Sequence, residues 1–231
     1  MSVAPPSPRL VLGPTPTRPM TVPHLAAGSP APLDAGAPAR LAEVVKRAGE
    51  PRVTLLAVVR DDLADGGAAH LVACVRAIRS AAPGVAIEVH VGDFGGSLRA
   101  VRQVLASRPD VYHHPLVTIP RLLPKLQPGS DYVHALECLR IAKEEFEPVR
   151  TRSTLCFDLG ESRDELVASV ADLKSVRVDE LVLAPAPADL RRGTCTPETV
   201  EKAATVARKL HFPNVEIAAA PRATRAKRAS R

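Results

Sequence analysis

Short apolar runs alternate with amphipathic stretches along most of this chain. Residues 53–59 form an apolar, β-branched run, which is typical of a strand buried on both faces. Residues 60–67 turn sharply through charges and glycines, and residues 68–82 continue with a helical pattern. Further strands are predicted at 86–91, 110–114, 154–159, 181–184 and 215–218. Because strands that alternate with helices in this way form parallel βαβ units, we predict an α/β fold, a partial (β/α) barrel of about six parallel strands.

Helices are predicted between these strands from apolar periodicity and from capping residues. Ser162 and Glu165 form a capping box, and Thr196 is an N-cap followed by a first-turn proline. On the helix at 132–146 we expect Val133, Leu136 and Leu139 to face inward. The remaining helices are predicted at 39–49, 97–106, 162–174 and 196–210, with a broken helical piece at 118–125.

The two ends of the chain differ in composition from its body. Residues 1–38 hold ten of the 23 prolines, which excludes helix there, although residues 10–13 could form a short strand. Residues 219–231 are rich in alanine and arginine and contain no acidic residue, so we expect a solvated, disordered tail. The barrel is therefore assigned to residues 39–218.

The net charge of +6 comes from the ends of the chain. Residues 218–231 carry five basic residues and residues 1–40 carry three against one acidic, which leaves the body near neutral. With no Trp and 3% aromatic residues there is little to stack on bases, so nucleic acid is not an expected partner. No apolar run is long enough to cross a membrane and no signal peptide opens the chain, so we expect a cytoplasmic location.

The four cysteines form no C-x-x-C pair. Cys74, Cys138 and Cys156 lie in apolar helix or strand patterns, where a free cysteine behaves as a small hydrophobe. We expect buried, reduced thiols here and at Cys195, and no metal framework.

In a (β/α) barrel, functional residues gather where the parallel strands end. R-D-D-L-x-D-G-G-A occurs at residues 60–68, and P-D-F-x-G corresponds to residues 92–96. P-D-V-x-x-H-N-x-E-T-V and K-S-x-L-x-x-x-L-G-E correspond to residues 109–119 and 152–161, and G-x-P-x-P-L-D, nearer the N-terminus, to residues 28–34. Together these five motifs resemble those of the lipoyl synthase family.

The resemblance covers roughly residues 10–217 and implies a barrel of the radical S-adenosylmethionine (SAM) type. In that family L-G-x-x-C-T-R-x-C-x-F-C supplies three thiolates to the [4Fe–4S] cluster that cleaves SAM. The register set by Leu12-Gly13 and Thr17-Arg18 places Pro16, Met20 and Pro23 at those cysteine positions. Proline has no ligating side chain and a thioether is a poor ligand for iron. The nearby His24 cannot replace three thiolates, so the resemblance implies SAM and a cluster that this sequence does not support.

Other parts of the family pattern are also altered. The N-terminal extension that carries the second cluster has no counterpart in this sequence, and the serine ligand in R-S-S-Y falls at residues 225–228, Arg-Ala-Lys-Arg. The peptide-enclosing Q-P-S-x-x-H segment is replaced by residues 184–190, and the polar Asn and Glu of H-N-x-E-T by Pro115 and Val117. Losses at these positions, beside a preserved framework, indicate a degenerate relative.

Nine polar or glycine residues keep family identities and are our candidates for a weakened SAM or nucleoside site. They are Arg60, Asp61, Asp65, Gly66, Gly67, His114, Thr118, Ser153 and Glu161. The alternative is that Asp61, Asp65 and Glu161 cap helices and turns. No catalytic residue and no metal ligand is assigned. His113 and His114 are adjacent on a strand and so point to opposite faces, which disfavours a joint metal site.

We therefore expect a non-catalytic lipoyl-synthase-like protein with a binding or regulatory role in lipoate metabolism. Its expected partners are a lipoyl carrier protein or domain, or an active paralogue. One alternative is a functional lipoyl synthase, inserting sulfur into an octanoyl carrier with clusters supplied by a partner subunit. Another is a decaying gene whose product folds poorly.

Overall fold

One seven-stranded sheet with strand order β1 to β7 organises the computed structural model. The structure describes residues 9–12, 33–57, 60, 62–187, 189–193 and 195–218. β1 (Arg9–Leu12) pairs antiparallel with β2 (Arg52–Leu56), and every later neighbour is parallel. The other strands are β3 (Ala86–His90), β4 (Val111–His113), β5 (Arg150–Phe157), β6 (Glu180–Pro185) and β7 (Asn214–Ile217). The prediction of six parallel strands is confirmed, with β1 added at one edge.

A helix or a short helical connection links each pair of parallel strands. Ser162 and Glu165 form the predicted capping box at the start of α6, and Thr196 caps α7 ahead of Pro197. Ser97 and Asp131 cap α3 and α5 in the same way, by accepting a backbone N–H from the first turn. The helices are α1 (Ala37–Ala48), α2 (Ala68–Ala81), α3 (Leu98–Ala106), α4 (Leu123–Leu126), α5 (Tyr132–Glu145), α6 (Arg163–Ser175) and α7 (Pro197–Lys209).

The two faces of the sheet are chemically different. Side chains that point toward the helices, such as Leu55, Ile87 and Leu155, belong to the main apolar core. Alternate residues point into the barrel, because successive side chains of a strand face opposite sides. A second apolar cluster closes part of that inner side near the ends of β5 and β6. It contains Ile119, Leu122, Cys156, Leu159, Ala184, Ala186 and Ala218.

β5 begins four residues earlier than the sequence predicts, at Arg150 instead of Thr154. The charged residues Arg150 and Arg152 made this stretch resemble a loop. Both side chains in fact pair with Glu180 on the neighbouring strand β6, Arg152 from a buried position and Arg150 from an exposed one. The first half of the longest strand was missed because its charged residues have their partner on another strand.

The predicted inward face of α5 is wrong in part. Leu139 is fully buried and Leu136 partly so, but Val133 is 72% exposed. Because a helix turns 100° per residue, positions six residues apart are separated by about 120° and cannot all face the core. The buried face is formed by Ala135, Cys138, Leu139, Ile141 and Ala142.

The expectation of buried, reduced thiols is confirmed at three of the four cysteines. Cys74, Cys138 and Cys156 are free and buried, whereas Cys195 is free and partly exposed. None of the helices in the described part of the chain is both long and apolar enough to cross a membrane.

Candidate functional site

The turn after β2 is built around an internal ion pair. Arg60 is 9% exposed, and its Nε and Nη2 each donate at 2.7 Å to one carboxylate oxygen of Asp62. This bidentate contact raises the pKa of Arg60 and lowers that of Asp62. Arg60 therefore orders its own turn. Asp61, the next candidate, lies outside the described residues.

Asp65 closes the same turn onto helix α2. Its two carboxylate oxygens accept the backbone N–H groups of Gly67 at 3.0 Å and Ala69 at 2.8 Å. Those N–H groups are among the donors that a helix start leaves without a partner, and a carboxylate there is stabilising. Both carboxylate oxygens of Asp65 therefore accept backbone hydrogen bonds, which agrees with the alternative that Asp65 caps a helix and is not a ligand-binding residue.

Gly66 brings the turns after β2 and β3 into backbone contact. Its φ is +60°, and a Cβ built on it would lie 2.7 Å from Cα of Phe94. Phe94 itself has a φ of 52° and is buried. Gly67, with a φ of +88°, precedes the first turn of α2. Glycine is needed at residue 66 for both conformation and space.

The connection after β4 carries two buried polar atoms that lack a protein partner. His114 is 3% exposed and its ring stacks with Tyr112 at 6.1 Å between centroids, while Thr118 is fully buried. Among the described residues, His114 Nδ1 and Thr118 Oγ1 have no hydrogen-bond partner. Burial lowers the pKa of His114 to about 4, so its imidazole is neutral near pH 7. Orphaned buried atoms of this kind call for an explanation, such as a ligand or bound water.

Ser153 and Glu161 support the backbone of two connections. Ser153 is buried within β5, not at its end, and its Oγ accepts the N–H of Leu116 at 3.1 Å. The Glu161 carboxylate accepts the N–H groups of Asp158 at 2.6 Å and Leu159 at 2.8 Å. Both side chains therefore hold the carboxyl-end connections in shape.

Seven of the eight described candidates lie in the connections that follow β2, β4 and β5 or at the start of the next helix, and Ser153 lies within β5. By their hydrogen bonds the eight divide into two groups. The first group forms hydrogen bonds that stabilise the connections themselves, and it consists of Arg60, Asp65, Ser153 and Glu161. The two glycines belong with it because they determine backbone geometry. His114 and Thr118 keep unused hydrogen-bonding capacity.

Sequence reasoning missed a charged network inside the barrel. Nη1 of Arg152, on β5, donates to both oxygens of Glu88 on β3 at 2.9 Å, and its Nε donates to Glu180 on β6 at 2.8 Å. All three side chains are less than a tenth exposed. Glu180 precedes the strand predicted at 181–184, and nothing local to β3 or β6 showed that an arginine lay between the two glutamates.

His113 joins this network to a hydroxyl. Its Nδ1 lies 3.2 Å from Oε1 of Glu88 and its Nε2 lies 2.9 Å from Oγ1 of Thr154, while the His90 ring stacks on it at 4.0 Å. Because an ionised carboxylate only accepts, Nδ1 carries the proton and Nε2 accepts from Thr154.

The order carboxylate, imidazole, hydroxyl is that of an activated nucleophile. However, burial first and the charge of Arg152 second lower the pKa of His113 to about 3, which makes the imidazole a weak base near neutral pH. Arg152 also neutralises Glu88. The chain of hydrogen bonds is therefore suited to fixing three strands, not to activating Thr154.

The described cysteines do not fit a [4Fe–4S] cluster. Burial raises the pKa of Cys74 and Cys195 to about 11 and that of Cys138 and Cys156 to about 12, so the thiols remain protonated. They also lie on separate elements. Within the described ranges no three His, Cys, Asp or Glu side chains are placed to share a metal ion. Pro16, Met20 and Pro23, the family cluster positions, and His24 lie outside those ranges.

Comparison with known proteins identifies the fold. No family model matches the sequence. The structure of methylornithine synthase (PylB) is similar, with a TM-score of 0.60 and 13% identity over 81% of this chain. This chain spans 55% of the length of that protein. A domain of pyruvate-formate lyase-activating enzyme from Bacteroides vulgatus ATCC 8482 matches more weakly, with a TM-score of 0.49 and 11% identity over 66% of this chain and 93% of its own.

At these identities the likeness defines the fold class alone. The chain has the α/β partial-barrel fold that the sequence predicts, and it shares this fold with methylornithine synthase. The sheet is open, since β1 and β7 are both edge strands in its order.

Replacing Gly66 by alanine tests the contact between the two turns. We expect Gly66→Ala to lower the free energy of unfolding by about 3 kcal/mol, because a left-handed conformation and a steric clash both oppose the new Cβ. Gly95→Ala is the matched control, since Gly95 has a similar φ of +65° but nothing within 4 Å. Gly95→Ala should lower the free energy of unfolding, measured by urea denaturation, by about 1 kcal/mol. Equal losses in the two variants would show that the turns are not in close contact.

The histidine pair inside the barrel predicts acid sensitivity. An unfolded histidine has a pKa of about 6.5, and burial lowers that of His113 to about 3. Folding therefore favours the neutral ring, and this stabilisation is complete above pH 6.5 and is lost as the pH falls toward 3. From His113 alone we expect unfolding free energy to drop by about 2 kcal/mol between pH 7 and pH 5.

Urea denaturation across that pH range measures the effect. His113→Gln should flatten the pH dependence, whereas replacement of the exposed His211 by glutamine should leave it unchanged. If His113→Gln and the native protein lose stability in parallel on acidification, the assignment of the titration to His113 is wrong.

Proposed function

We propose that this protein is a lipoyl-synthase-like binding protein that takes part in lipoate metabolism without performing the radical reaction. One observation carries the proposal. The three positions that hold cluster cysteines in the family are Pro16, Met20 and Pro23, and they precede a framework of motifs that is recognisable from residue 28 to residue 161. Sulfur insertion at an unactivated carbon needs a radical, and the chain offers no three thiolates to hold the iron that would generate one.

The hydrogen bonds in the loops that keep the family motifs favour a protein kept by selection over the product of a decaying gene. Asp65, Ser153 and Glu161 each accept backbone N–H groups in the turns where the motifs place them. A sequence released from selection has no reason to keep side chains that fold loops around an unused site. The loops therefore favour a role in which this surface still contacts something.

The proposed partners are a lipoyl carrier domain or an active paralogue that carries complete cluster ligands. A weakened SAM or nucleoside site is a secondary possibility in the same region. His114 Nδ1 and Thr118 Oγ1 are the atoms suited to it, since neither has a partner among the described residues. Binding of SAM would lack the iron that otherwise holds its amino and carboxylate groups.

Anaerobic iron–sulfur reconstitution tests the proposal most directly. We expect the native protein to retain no iron or sulfide above the blank after desalting. It should also form no 5′-deoxyadenosine from SAM and a strong reductant. The matched variant restores the family thiolates by Pro16→Cys, Met20→Cys and Pro23→Cys together, and should bind iron and sulfide.

A native protein that emerges with stoichiometric iron and sulfide, or that cleaves SAM, would contradict the proposal. The same assay with an active paralogue added addresses the competing function, in which a partner subunit supplies the clusters. Lipoyl formation that depends on both chains, with catalysis lost when this chain is omitted, would favour that alternative.

A further inference from the structure

The outer helices carry charge unequally around the barrel. Helices α1, α2 and α3 together hold seven basic residues and one acidic residue, Glu43. Helices α5, α6 and α7 hold seven basic and eight acidic residues. Because α1 packs against α2 and α2 against α3, the excess of positive charge lies on three neighbouring helices.

Much of this charge has no carboxylate partner. Lys46, Arg76 and Arg99 are exposed and form no ion pair among the described residues, and Arg47 donates only to the carbonyl of Glu43. On α5, α6 and α7 the basic residues are largely neutralised, whereas on α1, α2 and α3 only Arg40, Arg79 and Arg102 have a carboxylate partner among the described residues. Arg140, Lys143, Arg163, Lys202 and Arg208 each pair with a carboxylate. We refer to Lys46, Arg47, Arg76 and Arg99 as the basic face.

Helix stability explains only part of the basic face. Cations near a helix C-terminus are favourable, which accounts for Lys46 and Arg47 in the last turn of α1. Arg99 lies in the first turn of α3, where a cation is unfavourable. None of α1, α2 and α3 has an acidic residue in its first turn, whereas α6 and α7 both do. A surface of one charge sign that costs local stability is typical of electrostatic steering toward a partner.

We propose that the basic face docks an acidic surface of a protein partner. A protein is favoured over single-stranded nucleic acid because α1, α2 and α3 contain no Phe, Tyr or Trp on which bases could stack. Duplex DNA, which is bound through its phosphates, is distinguished by the test below. Val44, 40% exposed and one turn before Arg47 on the same side of α1, adds the apolar contact usual in protein interfaces. The inference rests on the proposed binding function and adds the chemistry of the partner.

Charge reversal on the full chain tests the surface. The first variant combines Lys46→Glu, Arg47→Glu, Arg76→Glu and Arg99→Glu. The control makes the same change of net charge on α6 and α7, by Arg163→Glu, Lys202→Glu, Arg208→Glu and Lys209→Glu. Both variants retain the basic tail, so any difference in binding between them comes from the substituted helices. Circular dichroism confirms that each variant is folded.

Fluorescence anisotropy with a labelled poly-L-glutamate peptide is the readout, with duplex DNA of equal charge as the second probe. We expect the first variant to bind the peptide at least about tenfold more weakly than the native protein, and the control to stay within about twofold. DNA binding should differ little between the two variants. Equal weakening by both variants, or no peptide binding at all, would overturn the proposal, and a loss confined to DNA would assign the face to nucleic acid. Because neither probe involves iron, SAM or lipoate, this outcome is independent of the cluster assay.

Discussion

Arg152, buried inside the barrel between two glutamates, is the interaction on which the rest of the structure depends. Its guanidinium joins Glu88 on β3 to Glu180 on β6, and Glu88 in turn holds His113 on β4. Four adjacent strands are therefore linked through one side chain. Closed barrels usually fill this space with layers of branched apolar residues. A charged layer is stable only while every member is paired, since an unpaired buried charge costs several kcal/mol.

The charged layer around Arg152 lies beneath the connections at the carboxyl side of the sheet and supports them. Above Arg152 on the same face of β5 lies Cys156, which packs with Ile119 and Leu122 in the second apolar cluster. Residues of the connections after β4 and β5 belong to this second apolar cluster. Most polar groups of the connections that carry the candidate residues are used to fold the connections themselves, as Asp65 and Glu161 show. The molecule therefore has a well-formed framework at the carboxyl edge of the sheet, which supports the proposed binding role.

The sequence predicted well those features that depend on neighbouring residues. The capping box at Ser162 and the Thr196 cap both follow from short local patterns. Features that depend on distant residues were missed. The stacking of His90 on His113 and the bridge made by Arg152 join residues that are far apart in the chain, and Arg150 and Arg152 therefore read as loop. The sequence indicated only which residues to consider for the candidate site. The structure was needed to separate the side chains that fold their own connections from His114 and Thr118, which have unpartnered atoms among the described residues.

The unfolding free energy of Arg152→Met, measured by urea denaturation at neutral pH, tests the central claim most directly. The account predicts a loss of about 3–5 kcal/mol, because two buried carboxylates lose their shared cation. It also predicts that adding Glu88→Gln and Glu180→Gln to the same variant recovers much of that loss, while Arg163→Met on the exposed side of α6 changes little. A loss below about 1 kcal/mol in Arg152→Met would contradict the account, since buried charges that have lost their partner cannot be that inexpensive.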